Sequence, residues 1–155
     1  MGNTKIRRSA MALAAVVIGV AMVPVAQARP ASGVTYGAKT SAKWPVMVQV
    51  SRDGRQVSYA AAAWSADCNG TRFSDTEEFK QIPISAGGKF ATSYDTGDYQ
   101  EGTATIHAAA SIAGKLNKRH SKITGKVRVM FSVKDLASGV DFTCDTGTVT
   151  FTALD

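Results

Sequence analysis

The sequence predicts an all-β protein, an antiparallel β-sandwich with immunoglobulin-like or jelly-roll-like connections and one disulfide between strands. Three observations lead to this prediction. Apolar and polar residues alternate over short segments, the pattern of strands with one buried face. Asp-Gly, Asn-Gly and Gly-Gly pairs separate these segments, as hairpin turns do. The chain of 155 residues also contains two cysteines, and no segment after residue 28 has convincing helical periodicity.

The first predicted hairpin follows a short leader, in which residues 34–36 are expected to form at most a short edge strand. Valine alternates with other residues over 46–50, and Asp53-Gly54 is a strong two-residue turn signal. Residues 56–68 then form the return strand. Its alanine run at 60–63 is ambiguous, since alanine favours helix, but the turns on both sides favour a strand. Trp64 and Cys68 share one face of that strand.

The middle of the chain is expected to alternate turns with strands. A polar and acidic loop is predicted first, followed by a short strand whose Pro83 indicates an edge position. The loop is predicted at 70–80 and the short strand at 79–84. A turn at 87–88, a strand at 89–94, a turn at 95–98 and a strand at 102–112 follow.

The last third contains the clearest strand of the sequence. Val127, Val129, Phe131 and Val133 alternate with polar or charged residues, after a basic turn. The alternation places the apolar side chains on one buried face. The preceding turn is predicted at 114–121, a second turn at 135–139, and two final strands at 140–144 and 148–153.

The N-terminal residues have the pattern of a secretory signal peptide. Lys5, Arg7 and Arg8 precede an uncharged, apolar stretch at 10–23, and an Ala-x-Ala sequence ends at Ala28. A basic start, an apolar stretch and small residues before the cleavage point are the features that signal peptidase recognises. The alternative, a membrane anchor, needs about 20 apolar residues. We therefore expect a secreted protein, or a periplasmic one where the host has an outer membrane, without a transmembrane segment in its mature form.

Removal of the signal peptide changes the charge of the protein. The predicted parts are a signal peptide at 1–28, a flexible leader at 29–43 and a β-sandwich domain at 44–155, with cleavage after Ala31 as the alternative. The signal peptide contains three of the basic residues and no acidic one, so the formal net charge falls from +6 to +3. Such a modest charge on an exported protein argues against nucleic acid as a partner.

The two cysteines, Cys68 and Cys144, allow only one intramolecular pairing. An even number of cysteines in an exported chain indicates a disulfide, with two free thiols as the alternative. Neither cysteine lies in a Cys-x-x-Cys or histidine-rich setting, which argues against a metal site. A single bridge between distant strands often joins the two sheets of a sandwich, and it favours that architecture over a closed barrel.

Four features resemble those of a group of small exported bacterial proteins of unassigned function. The first is the C-terminal run from Cys144 to Ala153, with the sequence Cys-Asp-Thr-Gly-Thr-Val-Thr-Phe-Thr-Ala. The others are the Asp-Gly turn near the start, the Trp64-x-x-x-Cys68 spacing, and Lys89-Phe90 after two glycines. The resemblance covers residues 45–153. It implies a β-sandwich with a Cys68–Cys144 bridge, and it implies no activity.

The sequence contains no recognisable catalytic or metal-binding motif. Gly-x-Ser-x-Gly is absent. His107 is expected on the polar, solvent-exposed face of its strand, and spacing alone gives it neither the partner that a general base needs nor a serine. The acidic residues of two turns do not match the calcium-loop pattern, and no two carboxylates are visibly paired for glycoside hydrolysis. We therefore predict no catalytic residues, no cofactor and no metal, with a small secreted hydrolase as the alternative.

One charged segment suggests a function. Six basic residues and no acidic residue lie in the predicted hairpin 115–128, and they are Lys115, Lys118, Arg119, Lys122, Lys126 and Arg128. In an exported protein such a segment could bind an anionic cell-surface polymer or glycan. The alternative is a solvated hairpin whose charges keep an edge strand from pairing. The sequence thus favours a non-catalytic binding or structural module, with polyanion binding through this hairpin as its specific form.

Overall fold

The computed structural model describes residues 33–135 and 137–155, and every regular element in these ranges is a β-strand. The strands, numbered in chain order, are β1 Val34–Lys39, β2 Pro45–Val50, β3 Gln56–Cys68, β4 Thr71–Pro83, β5 Lys89–Glu101, β6 Ala104–Leu116, β7 Lys122–Asp135, β8 Val140–Asp145 and β9 Val149–Leu154. The expected all-β fold is confirmed. The predicted signal peptide lies outside the described residues. No described segment forms a helix long and apolar enough to cross a membrane.

The strands form one antiparallel sheet in the order β4-β3-β2-β1-β9-β7-β6-β5, and β8 pairs with β7 next to β9. Long hairpins build most of the sheet, because β3 pairs with β4, β5 with β6 and β6 with β7 along nearly their whole lengths. The sheet curls into a nearly barrel-shaped form. Its two outermost strands, β4 and β5, thereby approach each other, and the rings of Phe79 and Tyr94 lie with their centroids 6.2 Å apart.

The inward faces of the strands form one hydrophobic core. Val48, Val57, Ile112 and Ile123 are at most 1% exposed, and each belongs to a strand in which buried residues alternate with more exposed ones. Tyr36 of β1 is equally buried, and its hydroxyl donates to the carbonyl oxygen of His120. Burial raises the pKa of this phenol. The alternation seen in the sequence therefore corresponds to the buried and exposed faces of the sheet.

The predicted disulfide between Cys68 and Cys144 is present. It joins the end of β3 to β8, with the two Cα atoms 5.1 Å apart, and it spans 76 residues of sequence. Both cysteines are 2% exposed, and Trp64 on the same face of β3 is also buried. The bridge thus connects strands that are not neighbours in the sheet.

The prediction of an acidic loop at 70–80 is wrong, because these residues form most of β4. Asn69 and Gly70 have positive φ angles of 54° and 84° and turn the chain directly back along β3. Phe79 of β4 is buried, while most other residues of the strand are exposed. A strand at the edge of a sheet can carry many polar residues, since much of it faces solvent. The expected edge position of Pro83 is confirmed.

Two further segments differ from the sequence prediction. The prediction of a turn at 95–98 is wrong, because β5 continues through this segment. Its pairing to β6 shifts between Asp95 and Asp98. Gly97 has a positive φ of 61° at this bulge, which glycine adopts at little cost.

Within the predicted leader, the residues of β1 lie between β2 and β9 rather than at an edge, because buried Tyr36 anchors them in the core.

Candidate functional site

The six basic residues of the predicted hairpin lie on β6, β7 and the turn between them. Lys115 is near the end of β6, and Lys118 and Arg119 lie in the turn. Lys122, Lys126 and Arg128 alternate with the buried residues of β7 and therefore share its outer face. All six are exposed. The structure thus gathers them at one end and on the outer surface of the sheet.

The turn between β6 and β7 is fixed by hydrogen bonds. The Asn117 Oδ1 atom accepts from the backbone N–H of Ser121 at 2.9 Å and of Lys122 at 3.3 Å. His120 has a positive φ of 54°, and its carbonyl oxygen accepts from the Tyr36 hydroxyl. This internal bonding holds the backbone of Lys118 and Arg119 in one conformation relative to β1.

Arg128 differs from the other five basic residues because a carboxylate neutralises it. Its Nε and Nη2 atoms donate to the two carboxylate oxygens of Asp145 at 3.1 and 2.5 Å. This pairing raises the pKa of Arg128 and lowers that of Asp145. In the described part of the chain, no carboxylate oxygen lies within 4.0 Å of the other five side-chain nitrogens. Those five are therefore the cations available to a ligand.

A groove of about 800 Å³ lies on the outer face where β5, β6 and β7 run side by side. Lys89, Lys115 and Lys126 project around this cavity. The cavity and these three residues are together called the lysine groove. Lys89 is directly opposite Lys115, and Lys126 is opposite Ala113. The three ammonium groups therefore come from three adjacent strands and face the same cavity.

Small residues make room for the lysine groove. Ala91 and Ala113 are paired across β5 and β6 and line it, and Thr124 and Thr150 line its β7 and β9 side. Short side chains at these positions leave the sheet surface open between the long lysines. Pro83 and Ile84, at the end of β4, also border the cavity. The result is an apolar floor with charged groups around it.

The inner side of the same region requires two glycines. Gly114 and Gly125 face each other on β6 and β7. A Cβ atom on Gly114 would lie 2.5 Å from Cζ of Phe90, and one on Gly125 would lie 2.3 Å from Cζ of Phe151. The two rings cross the glycines from the core side. Packing beneath the groove is therefore tight.

A second hollow of about 440 Å³ adjoins the lysine groove, since Ile84, Ser85 and Lys115 line both cavities. Arg55 and Lys118 lie on its other sides. The positive surface therefore extends from Lys126 on the outer face to the turn at the end of the sheet.

Lys89 and Arg55 were missed by the sequence analysis, which considered only the continuous basic segment. Both residues come from other parts of the chain. Lys89 joins the site through the pairing of β5 with β6, and the carbonyl oxygen of Arg55 accepts from the backbone N–H of Ile84. The available signal was the turn at Gly102, between β5 and β6. The pairing of the two strands shifts between Asp95 and Asp98, so counting from this turn does not place Lys89 opposite Lys115.

His107 lies in a row of polar residues at the other end of the sheet. It is paired with Asp98 of β5 on one side and with Ser132 of β7 on the other. Its Nδ1 atom lies 2.9 Å from Oδ1 of Asp98, and its Nε2 atom lies 3.0 Å from Oδ1 of Asp95. The hydrogen bond to Asp98, followed by the charges of both carboxylates, raises the pKa of His107. The sequence analysis did not find these two partners. Because both ring nitrogens face carboxylates, the arrangement favours the protonated ring over a general base.

The acidic residues of the two segments considered for calcium do not converge. Within residues 33–135 and 137–155, no group of three or more histidine, cysteine, aspartate or glutamate side chains is arranged to hold a metal ion. Asp95 and Asp98 instead contact His107. Glu77 and Glu78 lie on opposite faces of β4.

The chain was compared with protein-family models, curated proteins and solved structures, and none of them matches it.

Proposed function

We propose that this protein is a secreted, non-catalytic binding module whose lysine groove binds an anionic polymer of a cell surface, such as an acidic glycan or a cell-wall polyanion. The observation that carries the proposal is the placement of Lys89, Lys115 and Lys126 around one open cavity. None of these three ammonium groups has a carboxylate partner among the described residues. A ligand would supply the missing negative charge.

The electrostatics of the groove favour a ligand with several anionic groups. Lys89 and Lys115 are directly opposite each other, and like charges in that arrangement destabilise a sheet. An anion placed between them would replace repulsion by attraction. Lysine ammonium groups are compact, mobile point charges, so they suit phosphate, sulfate and carboxylate groups alike. The apolar floor formed by Ala91 and Ala113 could contact the backbone of the polymer.

The chemistry of the groove favours a glycan or cell-wall polymer over a nucleic acid. Single-stranded nucleic acids are usually bound by exposed aromatic rings that stack on the bases. Phe90 is the one aromatic residue that borders the groove in the described chain, and it is 4% exposed and packed in the core. A ligand in this groove would therefore be held by charge and by aliphatic contact.

Export is part of the proposal. The signal-peptide pattern of residues 1–28 and the buried disulfide support an oxidising, extracellular or periplasmic location. The absence of catalysis is proposed because His107, the histidine nearest to a serine across a strand pair, has carboxylates at both ring nitrogens. Such a ring cannot easily accept a proton from Ser132.

We also propose that the sheet is best described as a two-layer sandwich. One half consists of β4, β3, β2 and β1, and the other of β9, β7, β6 and β5 with β8. The halves join where β1 meets β9, through Gly37 opposite Leu154 and an isolated bridge between Thr40 and Phe151. This narrow junction and a disulfide from β3 to β8 support two facing layers rather than a closed barrel.

The proposal is tested with two variants of equal net charge. The groove variant carries Lys89→Gln, Lys115→Gln and Lys126→Gln. The control variant carries Arg72→Gln, Lys80→Gln and Lys134→Gln, which remove three exposed charges elsewhere on the sheet. The mature domain should be retained on heparin and teichoic-acid resins at low salt. The groove variant should elute much earlier than the control variant. Equal elution of the two variants would show that only net charge matters and would refute a defined site.

A further inference from the structure

A separate cavity, of about 320 Å³, opens between the two outermost strands of the sheet, β4 and β5. Its lining includes Trp64 of β3, Phe73 of β4, Tyr94 and Tyr99 of β5, and Phe131 of β7. These five rings, together with Asp75 and Glu77 of β4, are called the aromatic cleft. The volume of this cavity is within the range of about 300–1,000 Å³ that is typical of small-molecule sites.

The cleft exists because the strands that face it carry small side chains. Ala108 of β6 lines the cleft. Further alanines lie on the same inner faces of β3 and β6, namely Ala62, Ala66 and Ala110. Alanine does not fill the space that the curled sheet encloses. The shift in pairing within β5 keeps both Tyr94 and Tyr99 on the inner side, since they pair with Ala110 and Ile106. The rings therefore surround an open volume.

Glu77 is held in the lining of the cleft by two donors. The indole N–H of Trp64 donates to Glu77 Oε1 at 3.1 Å, and the hydroxyl of Tyr94 donates to Glu77 Oε2. Burial and the bond to Glu77 raise the pKa of Tyr94, with Asp75 contributing. The two donors hold the two carboxylate oxygens in place from different strands. The cleft thus contains a charge whose orientation is fixed.

The charge of the cleft lining is one-sided. Asp75 and Glu77 are both acidic, and no lysine or arginine belongs to the lining in the described part of the chain. Tyr94 and Tyr99 are 36% and 43% exposed, so their rings are accessible from solvent. Aromatic faces attract cations because of the negative potential above the ring, and a neighbouring carboxylate adds to that attraction.

We propose that the aromatic cleft binds a small organic cation, of the quaternary or substituted ammonium class. Charge complementarity supports this occupant over an anion, which Asp75 and Glu77 would repel. It also supports a cation over a neutral sugar, which would gain nothing from the carboxylates' net charge. The site is independent of the lysine groove, because it has the opposite charge and opens toward the inner side of the sheet.

Choline is the probe for this proposal, and its uncharged carbon isostere, in which carbon replaces the quaternary nitrogen, is the matched control ligand. The indole N–H resonance of Trp64 reports on the site in a two-dimensional NMR titration, since this group donates to Glu77. Choline chloride should shift that resonance in a saturable way. The isostere should bind about tenfold more weakly, because it lacks the charge.

Two variants of equal charge locate the binding. Glu77→Gln removes the carboxylate in the cleft and should weaken choline binding by about tenfold. Glu78→Gln removes the adjacent carboxylate, which faces outward and contacts Tyr59 and Lys80, and it should leave binding unchanged. Equal binding of choline and its isostere would overturn the proposal, even if Glu77→Gln did not fold. The proposal would also be overturned if choline chloride shifted the Trp64 indole N–H resonance no more than sodium chloride does at the same ionic strength.

Discussion

Lys89 and Lys115 stand directly opposite each other on β5 and β6, on the outer face of the sheet. Like charges in this position destabilise a β-sheet by a few tenths of a kcal/mol. Lys89→Gln should therefore raise the free energy of unfolding slightly while weakening the binding of heparin. Urea denaturation and heparin affinity, measured on the same preparations, test both effects.

Lys39→Gln is a suitable control for this pair of measurements, because Lys39 is exposed at the end of β1 and lies opposite Pro45. Lys39→Gln should change neither the free energy of unfolding nor the heparin affinity, beyond the small effect of net charge. If Lys89→Gln lowered stability, the repulsion across the strand pair would be disproved, and the argument that the groove is adapted to an anion would lose its energetic basis.

The disulfide should contribute a large part of the stability of the domain. Closing a long loop restricts the unfolded chain, and removal of a native disulfide from a small secreted domain typically costs about 2–5 kcal/mol. The double variant Cys68→Ala and Cys144→Ala should lose stability in this range, since both residues are also buried. Urea unfolding of the oxidised protein, the reduced protein and the double variant measures the effect. A midpoint that did not move on reduction would contradict it.

The packing beneath the lysine groove can be tested at Gly125. In Gly125→Ala the new Cβ would lie 2.3 Å from Cζ of Phe151 and 2.7 Å from the carbonyl oxygen of Ala113. Overpacking of this kind costs about 1–3 kcal/mol. Gly37→Ala is the control, because no atom lies within 4 Å of its added Cβ. The melting temperature should fall for the first variant and not for the second, and equal melting temperatures would reject the tight packing.

His107 should make stability depend on pH. Its pKa is raised above the ordinary value of 6.5, first by the hydrogen bond to Asp98. Protonation therefore favours the folded state, and the contribution is complete below the unfolded pKa and is lost as pH rises through the folded pKa. Asp98→Asn should lower the pKa of His107 in an NMR titration, whereas Glu101→Gln, an exposed change of equal charge, should not. An unchanged pKa in Asp98→Asn would refute the assigned cause.

The start of the mature chain is a further expectation. If residues 1–28 are a signal peptide, the exported protein begins at Arg29. N-terminal sequencing of protein recovered from the culture medium or periplasm determines this. Intact chains retained in the membrane fraction would contradict it.

Much of the fold could be predicted because several of its strands carry alternating apolar and polar residues. β7 illustrates this, since Val127 and Val129 are buried while Lys126 and Arg128 are exposed. The Asp53-Gly54 turn and the disulfide also follow from local rules and from the cysteine count. In each case the physical cause lies within a few residues of sequence or in a single allowed pairing.

The parts that could not be predicted depend on contacts between distant segments. Most of β4 is polar, and it is a strand because β3 offers it hydrogen bonds along its whole length. The bulge at Gly97 looks like a turn locally, and only the pairing with β6 carries the strand through it. For the same reason, Lys89 could not be joined to Lys115, nor Glu77 to Trp64 and Tyr94, from composition or spacing alone.

The salt dependence of heparin affinity tests the central claim most directly. If Lys89, Lys115 and Lys126 contact the polymer, binding releases counterions and the logarithm of the affinity falls linearly with the logarithm of salt concentration. Calorimetric titrations at several salt concentrations should give a steep slope for the wild-type domain. The slope should be much shallower for the groove variant, and close to the wild-type value for the control variant. Equal slopes for the two variants, or no measurable binding by the wild-type domain at low salt, would contradict the account.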